Sequence, residues 1–146
     1  ISYATTTYRC RAEIAAFSDT IFDKSWGFPE TTSENHVDSE HDGVFLVHSK
    51  HVSQYVESYQ PQCLRNTASS GKDFPLDFMN FKVSKGATFE RVLIVPTAPI
   101  RTFIQKQECL EATPAAAFYV ATTRARQSLA IIIDNPGNSK LPVWVP

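Results

Sequence analysis

Cysteine is scarce in this sequence: Cys10, Cys63 and Cys109 are far apart and form no C-x-x-C pair. An odd, scattered set of thiols excludes a disulfide framework and a cysteine-built zinc site, and it points to a reducing, cytoplasmic compartment. Long apolar runs are also missing. The longest, residues 115–121, is far below the roughly 20 residues that a bilayer-spanning helix needs, and no signal peptide precedes it, so no membrane partner is expected. Neither sign of charge dominates. Lys and Arg number 14 against 15 Asp and Glu, a net charge of −1, so any attraction to a polyanion must be local. The histidines His36, His41, His48 and His51 show no metal-ligand spacing with carboxylates, and no metal site is expected. A phosphate loop is absent too. Gly71-Lys72 has Asn66 where the pattern G-x-x-x-x-G-K-[ST] needs its first glycine, and Asp73 where it needs Ser or Thr.

What remains is ordinary globular material: 146 residues, 42% apolar and 20% charged, enough for one domain with a real core. The chain begins at Ile1, which reads as a piece excised from a longer protein. Residues 1–146 are read as a single lobe. Within it, residues 24–42 form an exposed acidic loop carrying Glu30, Glu34, Asp38, Glu40 and Asp42, and residues 135–146 form a tail. Ile14, Phe17, Ile21 and Phe22 recur at helical spacing and predict a helix over 11–22. Val44 to Val47 is a continuously apolar run, the mark of a strand buried on both faces. A helix capped by Ser49 follows to Tyr59, then short strands at 63–65 and 78–81 and a stronger one over 91–95. A helix starts near Pro99. Another runs from a Thr113 cap to about Gln127, a strand spans 128–133, and an edge strand lies within 141–145. Alternating helices and strands, several strands without polar alternation, predict an α/β domain: a mostly parallel sheet covered by helices on both faces.

Two segments carry chemistry on their own terms. On a helix reaching Gln127, Ala117, Val120, Ala121 and Arg124 share one face, so Arg124 projects from a packing stripe. A guanidinium cannot be neutralised, so it needs an anion: an intradomain salt bridge, or a phosphate brought from outside. The stretch Ser84-Lys85-Gly86-Ala87-Thr88-Phe89 lies between two strands, where Lys82, Ser84 and Lys85 can meet phosphate oxygens and Gly86 permits close backbone approach.

Taken in order, Tyr8-Arg9 before an apolar helix, Ser84-Lys85-Gly86-x-Thr88-Phe89-x-x-Val92, and Tyr119-Val120-Ala121-x-Thr123-Arg124-Ala125-Arg126 resemble the C-terminal motor half of UvrD/Rep-type superfamily 1 DNA helicases. The resemblance covers about residues 7–134 and is weakest over 23–42. It implies a second RecA-like three-layer lobe that completes a nucleotide site with an N-terminal RecA-like lobe of the same polypeptide. That partner lobe carries the phosphate loop and holds the Mg²⁺ of Mg-ATP. Tyr8 then matches the tyrosine that stacks on adenine, and Arg9 and Arg124 match the catalytic arginines at the γ-phosphate. Gly86 and Thr88 belong to the nucleotide segment, with Thr88 standing where the family commonly has a ribose-binding Glu. Lys82 (where the family often has His), Ser84 and Lys85 match positions beside single-stranded DNA. The family usually inserts a helical subdomain into this lobe, for which 146 residues leave no room. The alternative from another class is a non-motor module of the same ancestry that binds DNA or protein without ATP.

Overall fold

The computed structural model describes residues 5–22, 24–27, 30–66, 74 and 76–146. Six strands form one parallel sheet: β3 (Gly43–Val47), β4 (Gln62–Arg65), β5 (Phe78–Asn80), β6 (Phe89–Ile94), β7 (Ala125–Ile132) and β8 (Val143–Trp144), in the order β5-β4-β6-β7-β3-β8. Side-chain alternation along these strands sorts the core into two layers. Val44 and Leu46, Val92 and Ile94, and Leu129 and Ile131 face α1 (Ala12–Asp19), α3 (Ala98–Lys106) and α4 (Ala112–Thr122). Val47, Leu93, Ala130 and Ile132 face α2 (Val52–Tyr59) through Val52 and Tyr55. The continuous apolar runs of the sequence thus bury both faces, and the expected three-layer α/β arrangement is present. Phe118 of α4 is fully buried against the edges of Phe17 and Phe103, which locks three helices on one side. Burial of one such ring is worth about 1.5–3 kcal/mol.

Several element ends differ from expectation, each for a local reason. The turn before α2 is capped by His48, whose Nδ1 accepts from Lys50 N at 3.1 Å, and not by Ser49, whose N–H donates to Asp134. Thr113 lies inside α4 and caps nothing; the cap position is Glu111. Pro114 is tolerated there because first-turn N–H groups have no acceptor within the helix. α4 stops at Thr122, well short of Gln127. The hydroxyl of Thr122 donates to Tyr119 O, and that of Thr123 contacts both Tyr119 O and Val120 O, which favours the helix end. Arg124 and Arg126 are therefore not on the helix: one lies in the turn, the other on β7. Thr122, the last residue of α4, is fully buried and hydrogen-bonded to Ser18 at 2.8 Å.

The larger correction concerns the acidic segment. Part of residues 24–42 is strand, not loop: β2 (Thr31–Asn35) pairs in parallel with β1 (Thr5–Arg11), a strand the sequence pattern left unread. Its far end is pinned to the main sheet. His41 is buried, stacked between Phe45 at 4.2 Å and Tyr59 at 3.9 Å, with Nε2 2.9 Å from the Tyr55 hydroxyl. The buried Arg91 donates to the His41 carbonyl and to Ser128 Oγ. Residues 67–73 and 75, which include the Gly71-Lys72 pair, lie outside the described residues.

Burial, and then the charge of Arg91, depress the His41 imidazole to about 4, while Asp42 pulls the other way. An unfolded histidine titrates near 6.5, so between these values the unfolded chain binds the additional proton. The stability contributed by neutral His41 is complete above pH 6.5 and is lost as pH falls toward 4, by at most about 3 kcal/mol. Urea midpoints measured from pH 7 to 4 should therefore fall more steeply for the native chain than for His41→Gln; parallel curves would refute the assignment.

Candidate functional site

Two loops at the amino-terminal end of the sheet and one strand outside it carry the expected residues. The turn 81–86 leads into β6, and the turn Thr123-Arg124 leads into β7. Since β6 and β7 are neighbours, the loops lie side by side, with Phe89 N donating to Arg124 O at 2.8 Å. In open α/β sheets ligands commonly sit at the carboxyl ends of strands; here the candidate residues sit at the opposite edge. The third segment is β1. It advances from Thr7 to Arg11 while β2 advances only from Ser33 to Asn35, so β1 bulges over residues 8–10. Such a bulge re-aims side chains, and it contains Tyr8, Arg9 and Cys10.

The bulge and the second turn meet on Thr123. Arg9 Nη1 donates to the Thr123 carbonyl at 3.2 Å, and Cys10 Sγ donates to the same oxygen at 3.3 Å. Arg124 Nη2 donates to the Thr123 hydroxyl at 3.1 Å, its Nε to Val120 O at 3.0 Å and its Nη1 to Ala87 O at 3.3 Å. Every one of these acceptors is neutral. Among the described residues the ion pairs belong to Arg11, His36 and His48, and none belongs to Arg9 or Arg124. The salt bridge that would make Arg124 purely structural is thus not found among them. Burial, and then the charge of Arg9, lower the Arg124 ionisation from its ordinary value, a sign that the two cations sense each other.

These residues line a cleft of about 410 Å³. Tyr8 lines it too and is 77% exposed, so its ring is open to a ligand in the cleft. Tyr119, Thr31 and Ser18 complete the wall. Thr123, the acceptor on which the site is assembled, and Cys10 were missed as site residues, although Thr123 lies inside the Tyr119–Arg126 motif and Cys10 directly follows Tyr8-Arg9.

The remaining expected residues divide. Lys82 and Lys85 are exposed on the turn 81–86, with Val83 between them 67% exposed. Ser84 is fully buried, and its hydroxyl donates to Phe81 O at 2.6 Å, so its side chain does not face a strand; the expectation for Ser84 is overturned. Gly86 has φ of 86° and nothing within 4 Å of where a Cβ would stand, so it serves the turn rather than the cleft wall. Thr88 lines a second hollow of about 350 Å³ beside Gln60, Gln62, Glu90 and Arg91, which neither Arg9 nor Arg124 lines. Neither Gly86 nor Thr88 is brought into the arginine cleft; Ala87, between them, reaches Arg124 through its carbonyl. Among the described residues no group of three or more His, Cys, Asp or Glu gathers to hold a metal ion, and no helix is long and apolar enough to cross a membrane.

Comparison with known proteins places the fold. No protein-family model matches the chain, and no curated protein matches it. Among solved structures it is similar to PRRSV nsp10 (helicase), with 19% identity over 90% of this chain and a TM-score of 0.50. The methylated form of that helicase gives 18% identity, 91% coverage and a TM-score of 0.51. A further PRRSV helicase structure gives 20% identity, 89% coverage and a TM-score of 0.50. This chain spans 23–24% of the length of those helicase chains. The likeness shows the fold alone: an α/β domain with a parallel sheet flanked by helices, similar to part of those helicase structures.

Burial pushes the Cys10 thiol up to about 11, against the opposing pull of Arg9 and Arg124, and pushes Cys63 to a similar value. Cys109 is exposed. A thiol reagent at pH 8 should modify Cys109 in the folded chain and reach Cys10 and Cys63 only on unfolding, as read by peptide mass spectrometry. Rapid labelling of Cys10 in the folded chain would contradict the packing around Thr123.

Proposed function

We propose that this chain is the second RecA-like lobe of an ATP-dependent DNA helicase or translocase, of the UvrD/Rep type that its motifs resemble. One observation carries the reading: Arg9 and Arg124 converge on Thr123 at a cleft rimmed by exposed Tyr8, and among the described residues no carboxylate pairs with either. The donor set fits a triphosphate. Guanidinium groups bonded only to neutral acceptors keep their charge for an external anion, and the cleft lies within the roughly 300–1,000 Å³ range of ligand sites. When bound, ATP supplies the phosphoanhydride whose cleavage drives motion. In this reading Tyr8 offers its ring to the base, and Arg9 and Arg124 stabilise charge at the γ-phosphate. Lys82 and Lys85 contact phosphates of a single strand. An N-terminal lobe of the same polypeptide holds the phosphate loop and Mg²⁺.

In the intact protein, Arg124→Ala should lower kcat roughly 10³-fold or more, with ATP affinity little changed. Its bonds to Val120 O, Ala87 O and the Thr123 hydroxyl are made from a half-buried side chain whose partners water can reach, so unfolding stability, read by urea titration, should fall by only about 1–3 kcal/mol. Arg124→Lys should rescue little, because an ammonium cannot reproduce the fork. An unchanged kcat with a lowered urea midpoint would remove the motor reading and favour the non-motor module.

Exchange of Lys82 and Lys85 for alanine should weaken single-stranded DNA binding at low salt and flatten its salt dependence, as measured by fluorescence anisotropy. Binding that is tight and indifferent to both salt and the double substitution would remove the DNA role of this turn.

A further inference from the structure

Two like charges on separate segments need something to hold those segments together. β1 and β7 share no backbone ladder; they belong to different sheets. Asn35, at the end of β2 and 9% exposed, spans the gap. Its Nδ2 lies 2.7 Å from Arg9 O, 3.2 Å from Arg126 O and 3.0 Å from Gln127 Oε1. Its Oδ1 accepts from Val37 N at 3.0 Å, which fixes the orientation of the amide, since a flipped group would set oxygen against two carbonyls. Ser33 adds a bond to Cys10 O at 2.5 Å, and Gln127 is held in turn by Val37 O and Asp42.

We propose that Asn35 is a positioning residue for the arginine pair: by bonding the carbonyl of Arg9 itself and that of Arg126, two residues beyond Arg124, it fixes the spacing of two guanidinium groups that repel each other. The segment that composition marks as a solvated acidic loop thereby becomes part of the site's frame. This inference rests on the reading of the cleft as a phosphate site. It adds a residue that touches no ligand and acts only through Arg9 and Arg124.

The test is a double-mutant cycle on this chain, with inorganic tripolyphosphate as the probe and affinity read by calorimetry. Asn35→Leu should weaken tripolyphosphate binding roughly fivefold to tenfold, the scale of one lost hydrogen bond. In an Arg124→Ala or Arg9→Ala background the same substitution should have little further effect, because the geometry it protects is already gone. An equal loss in all backgrounds, as a purely structural role would give, overturns the assignment while leaving the cleft intact; so does no loss in the native background. Unchanged binding in both arginine variants overturns the cleft reading and the positioning role together. Should Asn35→Leu fail to fold, Asn35→Ser, which keeps a donor but cannot span both carbonyls, replaces it in the same cycle. A loss confined to the native background then supports the positioning role, and an equal loss in all backgrounds, or none, overturns it.

Discussion

The Thr123 carbonyl accepts from both the Arg9 guanidinium and the Cys10 thiol, while the Thr123 hydroxyl accepts from Arg124. The rest of the site depends on this junction. It draws two cations from distant parts of the chain onto one turn and satisfies some of their donors without neutralising either. A carboxylate in place of those neutral acceptors would neutralise a guanidinium and leave the lobe less to offer an external anion. The turn exists because α4 ends early at a Thr-Thr pair, and the bulge in β1 supplies the other half.

Charge is kept apart in the same way. The acids of the 24–42 segment do not reach the arginine pair. Asp38 and Asp42 lie 3.0 and 3.6 Å from Arg11, and Asp42 also accepts from Gln127. Arg11 thus takes up the nearby negative charge, two residues from Arg9, while Arg9 and Arg124 keep theirs. The segment then contributes through its amide and aromatic groups, Asn35 toward the cleft and His41 toward the sheet.

The parallel sheet was legible because burial on both faces leaves an unmistakable trace: Val44 to Val47, Arg91 to Val95 and Ser128 to Ile133 admit few polar side chains. β1 and β2 left almost none. Their residues are threonines, serine and charged groups, and Cys10 and Asn35 are the ones buried among those whose side chains are described. The run Thr5-Thr6-Thr7-Tyr8 did carry β-branched and aromatic propensity, which was the available signal. Arg9, Arg124 and Tyr8 were legible as motif positions, and the structure gathers them. Ser84 was not, because whether a turn residue points in or out depends on how residues 81–86 close on themselves. The contact of this segment with Arg124 is made by Ala87, through a backbone carbonyl that no sequence pattern marks.

The central claim is that Arg9 and Arg124 act as one receptor for phosphate oxygens. It is tested most directly by arginine side-chain NMR on the chain while ATP is added. The account expects the Nε–Hε signals of Arg9 and Arg124 to move along a common saturable curve, with Arg101 of α3, which donates to Pro96 O, staying in place. Movement of Arg101 or Arg11 with Arg9 and Arg124 silent, or independent curves for the two, would contradict it.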